Sequence, residues 1–210
     1  MTRSTRLGFI HNFLDSNESN TMTLLLLHGT GGTEDDLMQL GREISRSAAI
    51  LSPRGKVLEN GAPRFFRRLA EGVFDVEDLK FRTDELADFV EKASKLYSFD
   101  LRNVVAIGYS NGANIAASIL LLRPEVLSAA ILFRPMVPLI PDTIPELSKK
   151  SIFVSGGSHD PIVPKGETER LADLFKESSA KVFVYWEDSG HELGMGEITE
   201  ARKWLSYISK

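Results

Sequence analysis

The chain has 210 residues, of which 42% are hydrophobic and 26% are charged, and its formal net charge is −4. These values are ordinary for a globular protein, and the slightly negative charge argues against nucleic acid as a partner. The sequence contains no cysteine, which excludes disulfides, cysteine-based metal sites and a cysteine nucleophile.

Strand and helix signals alternate along the chain. Short apolar runs predict strands, and apolar residues at helical spacing predict helices. Continuously apolar strands separated by helices predict a mainly parallel central sheet with helices on both faces, in one α/β domain over residues 1–210. The predicted strands are 22–27, 48–51, 104–108, 129–133, 152–155 and 181–186, and the predicted helices are 34–46, 79–97, 113–120, 168–176 and 197–208.

The third of these strands leads into a Gly-x-Ser-x-Gly motif, which is centred on Ser110 and flanked by Gly108 and Gly112. Between a buried strand and a helix, this motif is typical of a nucleophile elbow, a sharp turn that exposes the serine. The alternative is a glycine-rich turn in which Ser110 only caps a helix.

An acid and a histidine follow two later strands. Asp160 comes after strand 152–155, and His191 comes after strand 181–186. Because ligands bind at the carboxyl ends of parallel strands, these residues should meet Ser110 at one edge of the sheet. The order serine, acid, histidine is that of the α/β-hydrolase triad.

We therefore predict Ser110 as the nucleophile, His191 as its base and Asp160 as the acid that orients the imidazole. His159 is the nearest rival to His191, although it directly precedes the preferred acid. Asp188 remains the alternative to Asp160, because it lies close to His191 in the sequence.

The developing oxyanion needs backbone donors. The elbow supplies the N–H of Asn111, and the loop after the first strand supplies a second donor. We assign that donor to the N–H of Thr30, with Gly31 as the alternative. The glycine run at 29–32 lacks the features of a phosphate-binding loop, so nucleotide binding is not expected.

Taken together, these motifs resemble the phospholipase/carboxylesterase group of α/β hydrolases. The likeness spans nearly the whole chain and is carried by Leu27–Asp36, Ser52–Gly55, Gly108–Ala113, Gly156–Pro164 and Gly190–Glu192. It implies an α/β-hydrolase fold, here without a lid domain, the triad and oxyanion residues named above, and hydrolysis of carboxylic esters or thioesters without a cofactor. A metal is not expected either, because the four histidines lack the spacing of ligands on a common helix. Asn111 replaces the glutamine common in acyl-protein thioesterases, which favours a small bacterial carboxylesterase.

The substrate pocket is less well marked. Aromatic residues between the second strand and the long helix could wall an apolar pocket, with residues after strand 129–133 opposite them. The alternative is that these aromatics anchor a loop to the core. The candidates are Phe65, Phe66, Phe74, Met136 and Val137; nearby Arg64, Arg67 and Arg68 would either be solvated or favour an anionic substrate.

The expected function is hydrolysis of small or medium carboxylic esters. A thioesterase or lysophospholipase with the same triad, or a binding protein without turnover, are the alternatives. Residues 1–11 lack the apolar run of a secretory signal and no segment is apolar enough to span a bilayer, so we expect a cytoplasmic protein, possibly a homodimer, acting on a small-molecule ester.

Overall fold

The computed structural model describes residues 1–16 and 21–209. Along these residues the strands are β1 (Thr2–Ser4), β2 (His11–Leu14), β3 (Thr23–Leu27), β4 (Ala49–Pro53), β5 (Val57–Glu59), β6 (Ala62–Arg64), β7 (Arg68–Ala70), β8 (Val73–Phe74), β9 (Val104–Tyr109), β10 (Ala129–Phe133), β11 (Ser151–Gly157) and β12 (Lys181–Glu187). The α-helices are α1 (Met38–Ile44), α2 (Val76–Tyr97), α3 (Asn111–Leu122), α4 (Lys165–Glu177) and α5 (Met195–Ile208).

Within the described part of the chain, one large sheet has the strand order β1-β2-β4-β3-β9-β10-β11-β12. The pairs β1/β2 and β2/β4 are antiparallel, and every other pair is parallel. Leu27 pairs with Gly108, and Tyr109 pairs with Phe133. The carboxyl ends of the central strands therefore meet at one edge, as a mainly parallel sheet requires, and the predicted fold class is confirmed.

The central strands of the sheet are buried on both faces, and the side chains that alternate along each strand point to opposite faces. In β3, Leu25 and Leu27 pack with α2, α3 and α4, whereas Leu24 and Leu26 pack with α1 and α5. This arrangement explains why the central strands appear in the sequence as unbroken apolar runs. The helices thus lie on both faces of the sheet, as predicted.

Each of the five helices differs from its predicted bounds by a few residues, and for α2 and α1 the contacts at the start of the helix give the reason. α2 begins at Val76 rather than at residue 79 because the Asp75 side chain accepts the Asp78 N–H at 3.1 Å and caps the helix. α1 begins at Met38 rather than at residue 34. The Glu34 side chain is buried and paired with Arg54 at 2.6 Å, so the chain turns there before the helix starts.

The pattern analysis missed several short strands. β1 and β2 extend the sheet at its antiparallel side, and β5–β6 and β7–β8 form short hairpins between β4 and α2. Each has only two to four residues, too few to produce a recognisable alternation. Among residues 1–16 and 21–209, no helix combines the length and apolar character needed to cross a membrane.

Candidate active site

The turn between β9 and α3 carries Ser110 at the carboxyl edge of the sheet. Ser110 has φ +52° and ψ −114°, a backbone conformation that side-chain-bearing residues rarely adopt. A Cβ on Gly112 would lie 1.9 Å from the Leu27 carbonyl oxygen, and one on Gly108 would lie 2.5 Å from the Gly112 oxygen. Both glycines are therefore required for strand and helix to pass this closely, which is the geometry of a nucleophile elbow.

A hydrogen-bonded chain links Ser110 to a histidine and an acid. His191 Nε2 lies 3.0 Å from Ser110 Oγ, and His191 Nδ1 lies 2.8 Å from Asp160 Oδ2. The side chain of Asp160 is 1% exposed and that of His191 is 16% exposed. The structure thus brings the three sequence-predicted residues together, although His191 and Ser110 lie 81 residues apart in the chain.

The carboxylate of Asp160 is oriented from behind by the backbone. Its Oδ1 accepts the N–H groups of Ile162 and Val163 at 2.8 and 3.0 Å. These two bonds leave Oδ2 for the imidazole. A carboxylate held in this way favours the tautomer of His191 with its proton on Nδ1, which leaves Nε2 as a hydrogen-bond acceptor toward Ser110 Oγ.

The rival acid and the rival base lie together on the surface. His159 Nε2 is 3.0 Å from Asp188 Oδ1, and these side chains are 75% and 91% exposed. Neither residue bonds to Ser110 or His191 in the described contacts. The structure therefore places the alternatives outside the hydrogen-bonded chain.

The predicted oxyanion donors flank the nucleophile. Asn111 is the first residue of α3, so its N–H has no partner within the helix. Thr30 and Asn111 both line the cleft at Ser110. The alternative donor, Gly31, already donates its N–H to the Pro63 carbonyl at 2.9 Å, which favours Thr30.

The predicted pocket walls separate into two groups. Phe74 and Met136 line the cleft at Ser110. Phe65 and Phe66 lie instead in the core, where the Phe65 ring packs 4.7 Å from the His28 ring and its N–H donates to Asn111 Oδ1. Val137 also packs against the core rather than along the cleft. For these three residues the structure differs from the prediction, because the type of a residue does not reveal which way its side chain points.

The three nearby arginines have different surroundings. Arg64 is buried and donates to Thr30 Oγ1 at 2.6 Å, so it shapes the cleft rather than forming a solvated face. Arg68 lines the cleft and forms a two-pronged ion pair with Glu59. Arg67 points outward and pairs with Asp75.

One buried residue beside the triad was missed by the pattern analysis. Arg134 follows β10 directly and donates to the Gly190 carbonyl at 3.0 Å, next to His191. Its signal in the sequence is a charged residue placed immediately after a wholly apolar strand, at the edge where the site forms.

His28 has a structural role beside the loop that carries Thr30. Its Nδ1 bonds to the Gly29 carbonyl at 2.6 Å, and its Nε2 accepts the Gly55 N–H at 2.9 Å. A backbone N–H can only donate, so Nε2 must be unprotonated. Burial lowers the pKa of His28 below the ordinary 6.5 of an imidazole.

We expect this pKa shift to make stability depend on pH in a definite direction. Below about pH 6.5 the unfolded chain binds a proton that the native ring resists, so the free energy of unfolding falls by up to about 1.4 kcal/mol per pH unit until the lowered pKa is reached. Above that pH neither state is protonated and the effect vanishes. Urea unfolding measures this effect. Between pH 7.5 and 5.5 the free energy of unfolding should fall more for the natural protein than for His28→Gln. Equal losses of stability would contradict the lowered pKa of His28.

Known proteins resemble this chain over nearly its full length. The model of the Dienelactone hydrolase family matches residues 62–193. The protein named "Putative hydrolase MhqD" of Bacillus subtilis (strain 168) is 50% identical over 181 residues, covering 86% of this chain and 90% of that protein. The crystal structure of the Bacillus cereus carboxylesterase has a TM-score of 0.94 at 48% identity and covers 97% of this chain and 96% of its own. A carboxylesterase from Mesorhizobium loti has a TM-score of 0.92 at 29% identity, with 98% of both chains covered.

Proposed function

The chain belongs to the dienelactone hydrolase family of α/β hydrolases, and we propose that it is a serine carboxylesterase acting on small or medium carboxylic esters. The hydrogen-bonded chain from Ser110 through His191 to Asp160 carries this proposal. The similarity of the whole protein to the carboxylesterases of Bacillus cereus and Mesorhizobium loti supports the same reaction class.

The arrangement is suited to acyl transfer in two halves. In the first, Ser110 Oγ bonds to the ester carbonyl carbon as His191 Nε2 takes its proton, and the N–H groups of Thr30 and Asn111 receive the oxyanion. Collapse of the tetrahedral intermediate breaks the bond to the alcohol, which leaves with the proton from His191. In the second half, water attacks the acyl-serine by the same steps and releases the acid.

The shape of the cleft favours a small acyl group. The cavity at Ser110 has a volume of about 40 Å³, whereas pockets for drug-sized ligands are on the order of 300–1,000 Å³. Its lining includes apolar residues, among them Phe74, Met136, Ile162 and Val163, and polar ones, among them Arg64, Arg68 and Asn114. A cavity of this size would enclose a short acyl group, and most of a long fatty-acyl chain would extend beyond it.

Hydrolysis of a p-nitrophenyl ester series tests the reaction and the size of the acyl site together. We expect kcat/KM to be highest for acetate to butyrate and to fall by about tenfold or more for decanoate. Met136→Ala should shift the preference toward longer chains, because it removes the side chain that lines the cleft. The matched control is Met195→Ala, since Met195 is exposed at the start of α5.

A serine-reactive fluorophosphonate distinguishes the enzyme from a binding protein with the same fold. Rapid labelling that depends on Ser110 supports the esterase. No labelling and no ester turnover by the folded protein would contradict the proposal.

A further inference from the structure

Arg134 is a buried charged residue beside the site for which the catalytic steps above have no use. It is wholly buried, and it has φ +55°, in the region that favours glycine. We propose that Arg134, paired with Glu197, is a positioning residue that holds the loop of His191 against the turn of Ser110. This inference rests on the proposed function.

The guanidinium group contacts the backbone on both sides of the base. Arg134 Nε donates to the Gly190 carbonyl at 3.0 Å, and Nη2 donates to the Glu192 carbonyl at 2.7 Å. Nη2 also donates to Ser189 Oγ at 2.9 Å. The residues immediately before and after His191 are therefore both anchored to one rigid, planar group.

Glu197 fixes the direction of that group. Its Oε2 and Oε1 accept from Arg134 Nη1 and Nη2 at 2.6 and 2.8 Å, and both side chains are fully buried. Glu197 also accepts the Gly194 N–H at 2.8 Å and the hydroxyl of Ser155. A two-pronged pair restricts rotation of the guanidinium in a way that a lysine ammonium would not.

The backbone of Arg134 is tied to the nucleophile at the same time. The N–H of Ser110 donates to the Phe133 carbonyl at 2.9 Å, and the N–H of Arg134 donates to the Ser155 carbonyl at 2.8 Å. One peptide unit thus joins the serine turn to the residue that holds the histidine loop. Arg134 Nε also lies 3.9 Å from Asp160 Oδ2, so the arginine adjoins all three parts of the triad.

The strained backbone of Arg134 supports a functional role for its side chain. Glycine would relieve the strain of a positive φ, yet a large cation occupies the position. Such an outlier points to a site where the function of a particular side chain outweighs the energetic cost of a strained backbone.

Steady-state kinetics of Arg134→Lys test the proposal. We expect kcat to fall about thirtyfold or more with KM within about twofold, because the substrate cleft is retained while the alignment of His191 is lost. Arg123→Lys is the matched control. Arg123 follows α3 and pairs with four carboxylates, three of them on α2. We expect this variant to keep the kcat and KM of the natural protein. Arg134→Gly should regain activity with added ethylguanidinium, whereas Arg123→Gly should not respond to it.

Ser189→Ala provides a milder variant in case substitution of Arg134 prevents folding. It removes the hydroxyl of Ser189, a half-buried loop residue, which accepts a hydrogen bond from the guanidinium of Arg134. We expect kcat to fall about fivefold with KM unchanged, in line with the loss of one hydrogen bond. If Arg134→Lys does not fold, Ser189→Ala decides the matter: a kcat equal to that of the natural protein would overturn the proposal.

Imidazole NMR of the 15N-histidine-labelled protein gives a readout that does not depend on turnover. The Nδ1–H signal of His191 is assigned by its loss in His191→Gln, and we expect it to shift or broaden in Arg134→Lys while the His11 and His28 signals stay. An unchanged signal together with natural kcat would overturn the positioning role and leave the esterase standing. An absence of turnover in the natural protein would overturn the esterase, and the NMR signal would still decide the role of Arg134.

Discussion

Ser110→Ala is expected to lower kcat for p-nitrophenyl acetate by about 10⁴- to 10⁶-fold, with little change in the fold. In the proposed mechanism the side-chain oxygen of Ser110 is the atom that bonds to the carbonyl carbon, so no acyl-enzyme could form without it. The residual rate would come from binding and the oxyanion donors alone. Stopped-flow assays of the purified variant measure the higher rates within the expected range of kcat, and long-time assays measure the lowest ones.

A buried serine on the following helix provides the control. Ser118 lies in α3, is fully buried and bonds to Thr83 Oγ1 at 2.8 Å, away from the cleft. Ser118→Ala should lose some stability and keep a kcat within about twofold of the natural protein. If Ser110→Ala retained a tenth of the natural activity, the serine mechanism would be wrong.

Asp160→Asn is expected to lower kcat by about 10⁴-fold for a reason visible in the backbone. The N–H groups of Ile162 and Val163 both donate to Oδ1, so the amide oxygen of an asparagine must face them. The amide NH₂ would then point at His191 Nδ1, which can only accept from it. The imidazole proton would move to Nε2, and the base could no longer accept the proton of Ser110.

Asp188→Asn is the matched comparison, because it makes the same change in the rival acid. Asp188 is 91% exposed and bonds to His159 rather than to His191. We expect its kcat and KM to stay within about twofold of the natural values. The opposite ranking of the two variants would reassign the acid of the triad to Asp188.

The fold and the candidate triad could be predicted to a large extent because both depend on local patterns. Each central strand is an apolar run, and each triad candidate follows such a run within a few residues. Parallel strands bring their carboxyl ends to one edge, so residues far apart in sequence were expected to meet there. The short strands β1, β2 and β5–β8 escaped prediction because two to four residues cannot display a period.

The cleft was predicted less well because composition does not specify the direction of a side chain. Phe65, Phe66 and Phe74 lie within ten residues of one another, yet only Phe74 lines the cleft. Similarly, His159 and Asp160 are neighbours in sequence, but one faces solvent and the other is enclosed. Adjacent residues of an irregular loop can point in opposite directions, and only packing decides between them.

The sequence by itself determined the order of elements, the Ser110 elbow and the edge of the sheet where Asp160 and His191 belong. It did so because strand and helix periods and glycine-flanked turns are local properties. Only the tertiary structure decided that Gly31 is engaged with Pro63, and that Arg134 anchors the loop of His191. These outcomes depend on hydrogen bonds between segments that lie far apart in the sequence. No local pattern reveals such bonds, because they form only when the folded sheet brings the segments together.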